Sequence, residues 1–296
     1  MSDRPWRIID TFADFLTYWS TAQTESLPRQ IELWRTSYMS KYPELLSKQV
    51  QDYENQDLDW RKVAEEHIFP RLAERLPLMR QARQHLLHLC GPIYARAAQV
   101  LGLDFEVIFV IYVGLGCGAG WATRYNQHPA CLLGLENIAA CGWHGEHKLR
   151  GLLAHEIGHL THMAWRNAWE SFEEAERDPC FRLYAEGFAQ RCEHVMLGDE
   201  TWHPIQREDW LPWCRENEGW LAREYLHRVE SDQPVTEFFG SWHELQGQKQ
   251  TGYYLGHQLI RWLEHDHSLR AIATLPLEEI RRRTVQFLKR RSLNSG

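Results

Sequence analysis

The amino-acid sequence predicts an α+β protein, mainly α, on three observations. Apolar residues recur every three or four positions from about Trp6 to Leu101. A single β-branched and aromatic stretch runs from Asp104 to Glu136, and helical periodicity then resumes towards the C-terminus. At 296 residues, with 44% hydrophobic and 25% charged residues, the chain is long enough for one large core or two lobes.

The first stretch reads as several short to medium helices through IELWRTSYMSKYPELL, WRKVAEEHIFPRLAERL and HLLHLCGPIYARAAQVL. Breaks are expected at Pro28, Pro43, Pro70, Pro77 and the Gly91-Pro92 pair, because proline lacks an N–H and clashes with the preceding turn. At Asp104 the period changes. FEVIFVIYV has the length and composition of a strand, GLGCGAG is turn-rich, and WATRY and ACLLGLE follow on either side of a turn at Asn126 to Pro129. A small sheet of about three strands is expected there.

Helices return near Gly145 and carry the segment LLAHEIGHLTH. They continue through LYAEGFAQRCEHVM, WLAREYLHRVES, GYYLGHQLIRWLEH and the basic LEEIRRRTVQFLKRR, whose charged side reads as a solvated face. The chain is thus divided into an N-terminal helical region (1–102), a catalytic core with the sheet and motif helix (103–198) and a C-terminal helical lobe (199–296) that closes a cleft.

Charge and composition narrow the partners. A net charge of -7, from 40 acids and 33 bases spread along the chain, gives no face built for a phosphate backbone, so no nucleic acid is expected. No segment is apolar enough to span a membrane, and polar residues interrupt every apolar run of the N-terminus, unlike a secretory signal. Seven cysteines without a C-x-x-C pair suit reduced thiols, so a cytoplasmic location is expected. The fourteen tryptophans read as packing between helices. The oligomeric state is not legible.

The chemistry lies in His155-Glu156-Ile157-Gly158-His159. One helical turn places both imidazoles on one face, about 6 Å apart along the axis, where they can share a metal ion. Glu156, rotated by about 100°, is no ligand on that face but can reach a water on the metal. With sixteen histidines such a motif can arise by accident, so its surroundings decide. Leu152, Leu153, Ala154, Ile157 and Leu160 make the helix mostly buried, and buried ionisable groups without partners are costly. Gly158 weakens the helix by about 1 kcal/mol relative to alanine, which suggests a close neighbour.

A catalytic zinc ion takes a third protein ligand and leaves one position open. Glu186 in LYAEGFAQRCEH suits the third place, 27 residues after His159 (186 − 159) on another helix with apolar flanks. Gln190, one turn on, could orient a ligand.

HEIGH followed by AEGFA resembles the gluzincin pattern of thermolysin-like and aminopeptidase-like zinc peptidases, with Ala185 where many aminopeptidases carry Asn. The resemblance implies a thermolysin-like zincin core, a small mixed sheet packed on the motif helix, Zn²⁺ held by His155, His159 and Glu186, and a peptide or protein substrate. GLEN (134–137) is similar to the G-x-M-E-N edge strand of the aminopeptidase branch, which implies that Glu136 anchors a substrate amine. TGYYLGHQLIRWL resembles the late helix of an uncharacterised group of predicted zinc-dependent proteases. Tyr253 and His257 share a face there, and either could stabilise an oxyanion, while Gly252 and Gly256 allow the helix to approach the metal. Tyr254 reads as packing.

The expected activity is zinc-dependent peptide hydrolysis with Glu156 as general base, aminopeptidase or endopeptidase. The rival is a zinc-binding chaperone-like or interaction protein without turnover. Glu156 argues against it, since a structural zinc site fills its fourth position with Cys or His and has no use for a base.

Overall fold

A computed structural model describes residues 4–198, 201–204, 207–240 and 244–293. The chain is mainly helical, with one four-stranded mixed sheet among the described residues: β1 (Trp6–Asp10), β2 (Val107–Tyr112), β3 (Gly120–Tyr125) and β4 (His128–Gly134). The spatial order is β1-β2-β4-β3, with β1, β2 and β4 parallel and β3 antiparallel to β4. Contacts along the chain gather into two compact units, Met1–Glu156 and Ile157–Gly296, and the boundary falls inside the motif helix, which is continuous from Glu146 to Arg166.

The first unit carries the sheet. VIFVIY is buried at every position of β2, as a strand paired on both sides and covered on both faces must be. The hairpin from β3 to β4 turns on Asn126 and Gln127, both at positive φ (48° and 68°), the backbone that a tight two-residue turn between twisted strands demands. Glu44 accepts the Asn126 N–H at 2.9 Å and holds that turn.

Three expectations about this unit are corrected. WRIID is a fourth strand, not the start of a helix: Trp6 to Asp10 pair in register with Val107 to Ile111, a hundred residues away, beyond the reach of local periodicity. Pro77 and Pro92 do not break the helix they sit in, which runs 30 residues from Leu72 to Leu101 and ends at Gly102 with φ 67°. Gly91 is small because the Trp6 ring lies on it; a Cβ there would fall 2.6 Å from Trp6 Cζ2. Third, GLEN is not on an edge. β4 is paired on both sides and ends at Gly134, and Leu135–Ala140 already form a short helix. Pro28 and Pro43, in contrast, do stand in the first turns of helices (Leu27–Leu33 and Pro43–Glu54), where no N–H is needed.

In the second unit the motif helix packs on the helix Pro179–Leu197, whose first turn is capped by the Asp178 carboxylate accepting the N–H groups of Cys180 and Phe181. The space vacated by Gly158 is taken by Ala189 and Cys192, since a Cβ there would lie 2.8 Å from Cys192 Cβ and 3.0 Å from Ala189 Cα. On its other side the Pro179–Leu197 helix meets the helix Thr251–Leu263 through two glycines: a Cβ on Gly187 would sit 2.1 Å from the Gly256 carbonyl oxygen, and one on Gly256 2.4 Å from that of Leu183. Gly256 therefore serves contact with the helix that carries Glu186. Gly252 makes room for the Phe239 ring instead, with a Cβ there 2.4 Å from Phe239 Cε1.

Because the obstacles at Gly187 and Gly256 are backbone atoms, alanine at either position cannot be absorbed by a rotamer change. Gly187→Ala and Gly256→Ala are expected to lower unfolding stability by about 3 kcal/mol, while Gly145→Ala, with open space around it, stays within about 0.5 kcal/mol. Urea unfolding of the three variants checks the ordering.

Candidate metal centre

His155 and His159 project from one face of the motif helix, both buried, and Glu186 comes from the helix Pro179–Leu197, partly buried. One donor atom from each lies within 4.8 Å of the others. The His159 Nε2 to Glu186 Oε2 separation is 3.3 Å. Two ligands of a tetrahedral ion bound at about 2.0–2.1 Å stand about 3.3–3.4 Å apart, so this pair already has the spacing of a tetrahedral edge. The donor set, two imidazoles and one carboxylate, suits a borderline ion such as zinc.

Glu156 is buried beside the ligands' face and lies against β3: a Cβ on Gly120 would be 2.4 Å from Glu156 Oε1. Only glycine lets the carboxylate sit this close to the strand backbone. β3 is an edge strand, so the strand edge nearest Glu156 is GWATRY and not GLEN.

Glu136 does something else. It is fully buried, and its Oε1 accepts the Gly116 N–H at 3.0 Å, tying the glycine-rich segment after β2. Burial pushes its carboxyl above the ordinary value, against the opposing pull of backbone N–H groups at Gly114, Glu136 and Gly116 and of the Arg75 guanidinium. Glu136 Oε2, equally buried, has no hydrogen-bond partner among the described residues, and the fully enclosed side chain gives no support to the role of amine anchor.

Tyr253 and His257 lie on the helix Thr251–Leu263. The Tyr253 ring stands 5.7 Å from that of His203 and 5.9 Å from Phe239. His257 is buried, 4.4 Å from the His194 ring and 5.1 Å from Trp202, and its Nε2 has no hydrogen-bond partner among the described residues. Tyr254 packs, its hydroxyl donating to Glu218 at 2.8 Å. Gln190 does not face a ligand with its amide N–H, which donates to the Thr201 carbonyl at 3.2 Å.

Sequence reasoning missed three residues. Glu193 and His203 form, with His155, a second cluster whose donor atoms lie within 4.8 Å of one another. Glu193 is two turns past Glu186 and so on the same face of its helix, a spacing visible in the sequence; His203 is in a loop, where no periodicity marks it. Glu176 is the third. It follows Phe172 by one helical turn, and the Phe172 ring is 6.5 Å from that of His159. Burial pushes the Glu176 carboxyl up to about 7; His159 opposes the shift and Glu186 adds to it.

Two other histidines of this part of the chain have partners of their own. His162 is enclosed by aromatic rings, stacked at 4.3 Å on Phe188, and burial holds its imidazole well below the usual value. His85 Nδ1 bonds the His144 carbonyl at 2.9 Å. All seven cysteines are free thiols. No described helix is long and apolar enough to cross a membrane.

No family model, curated protein or solved structure matches the chain. The site must be read from its own geometry.

His257 offers a check on this packing. Burial, with His194, Arg191 and Arg261 nearby, pushes its imidazole down to about 2. Folding thus favours the neutral ring: its contribution is complete above the unfolded value of about 6.5 and is lost as pH falls from there towards 2. Between pH 6.5 and 5, His257→Leu is expected to flatten the fall in unfolding free energy by up to about 1.4 kcal/mol per pH unit. Denaturant titrations at several pH values measure both slopes, and equal slopes would contradict the assignment.

Proposed function

We propose that this chain is a zinc-dependent peptide hydrolase of gluzincin type. The observation that carries the reading is the convergence of His155, His159 and Glu186 with a buried carboxylate, Glu156, one residue from the first ligand. Three ligands leave a position open for water, and a carboxylate outside the ligand set is what a hydrolytic site needs and a purely structural one does not.

When bound, Zn²⁺ supplies Lewis acidity that polarises a peptide carbonyl and acidifies water. His155, His159 and Glu186 hold it. Glu156 takes the proton of the attacking water and passes it to the leaving amine. The edge of β3 offers its backbone to an extended peptide, and Gly120 keeps that backbone close to Glu156, so a peptide added there has its carbonyl near the base. Of the two oxyanion candidates Tyr253 is the better, because it is only partly buried and stands beside His203, whereas His257 is enclosed by His194 and Trp202. With Glu136 fully enclosed, an exopeptidase loses its proposed amine anchor, and the substrate is read as a peptide without a required free amine.

Purified protein is expected to hold zinc and to hydrolyse peptides, free and N-acetylated alike. Chelation abolishes the activity and added zinc restores it. Glu156→Gln keeps the metal and lowers kcat by about 10²–10⁴-fold. Zinc analysis with a peptide-cleavage assay measures all of this. A wild type without zinc, or a Glu156→Gln variant cleaving at full rate, sinks the mechanism; zinc bound without cleavage favours the non-catalytic binding protein.

A further inference from the structure

β3 is the last strand of the described sheet, so one of its edges is open to an extended peptide. Successive side chains of a strand point to opposite sides of the sheet. Gly120 lies against Glu156, so Ala122 and Arg124 share the side of the base, whereas Trp121, Thr123 and Tyr125 share the other. That other side carries a cation. Lys48, half-buried on the helix Pro43–Glu54, donates from Nζ to Thr123 Oγ1 at 3.2 Å and stands 5.9 Å from the centre of the Trp121 ring, within range of a cation–π contact.

No carboxylate claims this ammonium. Among the described residues Lys48 makes no ion pair, although Glu44 and Asp52 lie one turn away on either side of it along the helix. Both are occupied elsewhere: the two oxygens of Glu44 accept the Asn126 N–H at 3.1 Å and 2.9 Å, and Asp52 lies close to the Cys117 thiol. Arg124, the cation of β3 itself, belongs to the opposite side and turns back on the Gln127 carbonyl at 2.7 Å. An ammonium carries three N–H donors. With one of them on Thr123, Lys48 keeps donors and an uncompensated charge at the edge where a peptide would lie.

We infer that Lys48 is a specificity-determining residue, which selects peptides with an Asp or Glu side chain at a position beside Trp121 and Thr123. The inference rests on the peptide-hydrolase reading proposed above. A peptide added to β3 alternates with the same period of two, so its side chains on this face stand about 5 Å from their neighbours on β3, where opposite charges attract. With the scissile carbonyl beside Gly120, the acidic residue falls one or three residues along the substrate in the direction of Tyr125. The residue between those two positions points to the side of Glu156, away from Lys48.

A library of N-acetylated peptides, cleaved by the full chain with zinc added and read by mass spectrometry, tests this. Wild type is expected to favour Asp and Glu over Asn and Gln by about two- to fivefold at the first or third position and not at the one between. The preference shrinks as salt is raised from about 0.02 M to about 0.5 M. Lys48→Met removes it, and Lys48→Glu turns it towards Lys and Arg. Each effect is read as the ratio of kcat/KM between an acidic peptide and its amide counterpart, from which any loss of active protein cancels. Lys48→Gln replaces Lys48→Met if circular dichroism shows that variant to be unfolded. Cleavage by wild type without an acidic preference, a preference at the intervening position instead, or an unchanged ratio in Lys48→Met overturns the inference and leaves the hydrolase reading standing. A wild type that cleaves no member of the library overturns both.

Discussion

The close crossing of the motif helix over the helix Pro179–Leu197 is the constraint on which the second unit and its chemistry depend. Gly158 against Ala189 and Cys192 lets the two backbones approach, and that approach brings His159 and Glu186 to 3.3 Å. A larger residue at 158 would hold the helices apart and leave an imidazole and a carboxylate buried without each other. Buried ionisable groups are tolerated when paired and expensive when not. The packing and the polar cluster are therefore one design: small residues set the separation, and the separation satisfies the charges.

The same helix is held from its opposite side by Gly187 and Gly256, so its position is fixed between two neighbours by backbone contacts rather than by side chains that could rearrange. Rigidity of this kind suits a site whose ligands must stay within a few tenths of an ångström of a set geometry. The aromatic rings around His162 and the ring contacts joining Trp202, His194 and His257 add packed histidines to that unit. Their presence shows why a histidine-rich composition alone says little about metal binding.

What could be read from the sequence was what depends on local spacing. His155, Glu156 and His159 are one turn of helix, and Glu186 lies on a second helix with an apolar face, so periodicity alone placed them on buried surfaces. β2, β3 and β4 were legible from their β-branched runs and turns. β1 was not, because WRIID is short, half-exposed and stabilised by hydrogen bonds to Val107–Ile111, which no window of neighbouring residues contains. Glu136 was misplaced for a related reason. An apolar strand that runs straight into an apolar helix shows no boundary in its pattern, and only the pairing of β4 on both sides shows that GLEN has no free edge. Pro77 and Pro92 illustrate the limit of a local rule: each costs a helical hydrogen bond, yet the helix continues because packing outweighs the loss.

The distant partner of β1 also bears on how the chain acquires its fold. Parallel pairing of Trp6–Asp10 with Val107–Ile111 closes a loop of roughly a hundred residues, an entropic cost on the order of 4 kcal/mol that must be met before the strand gains its partner. On a ribosome, β1 emerges before β2 and waits until β2 has left the exit tunnel. The helices between them can form in that interval, since their hydrogen bonds are local. Assembly of the sheet is thus a late, non-local step, timed by synthesis of residues beyond 107 rather than by the order in which the strands are translated.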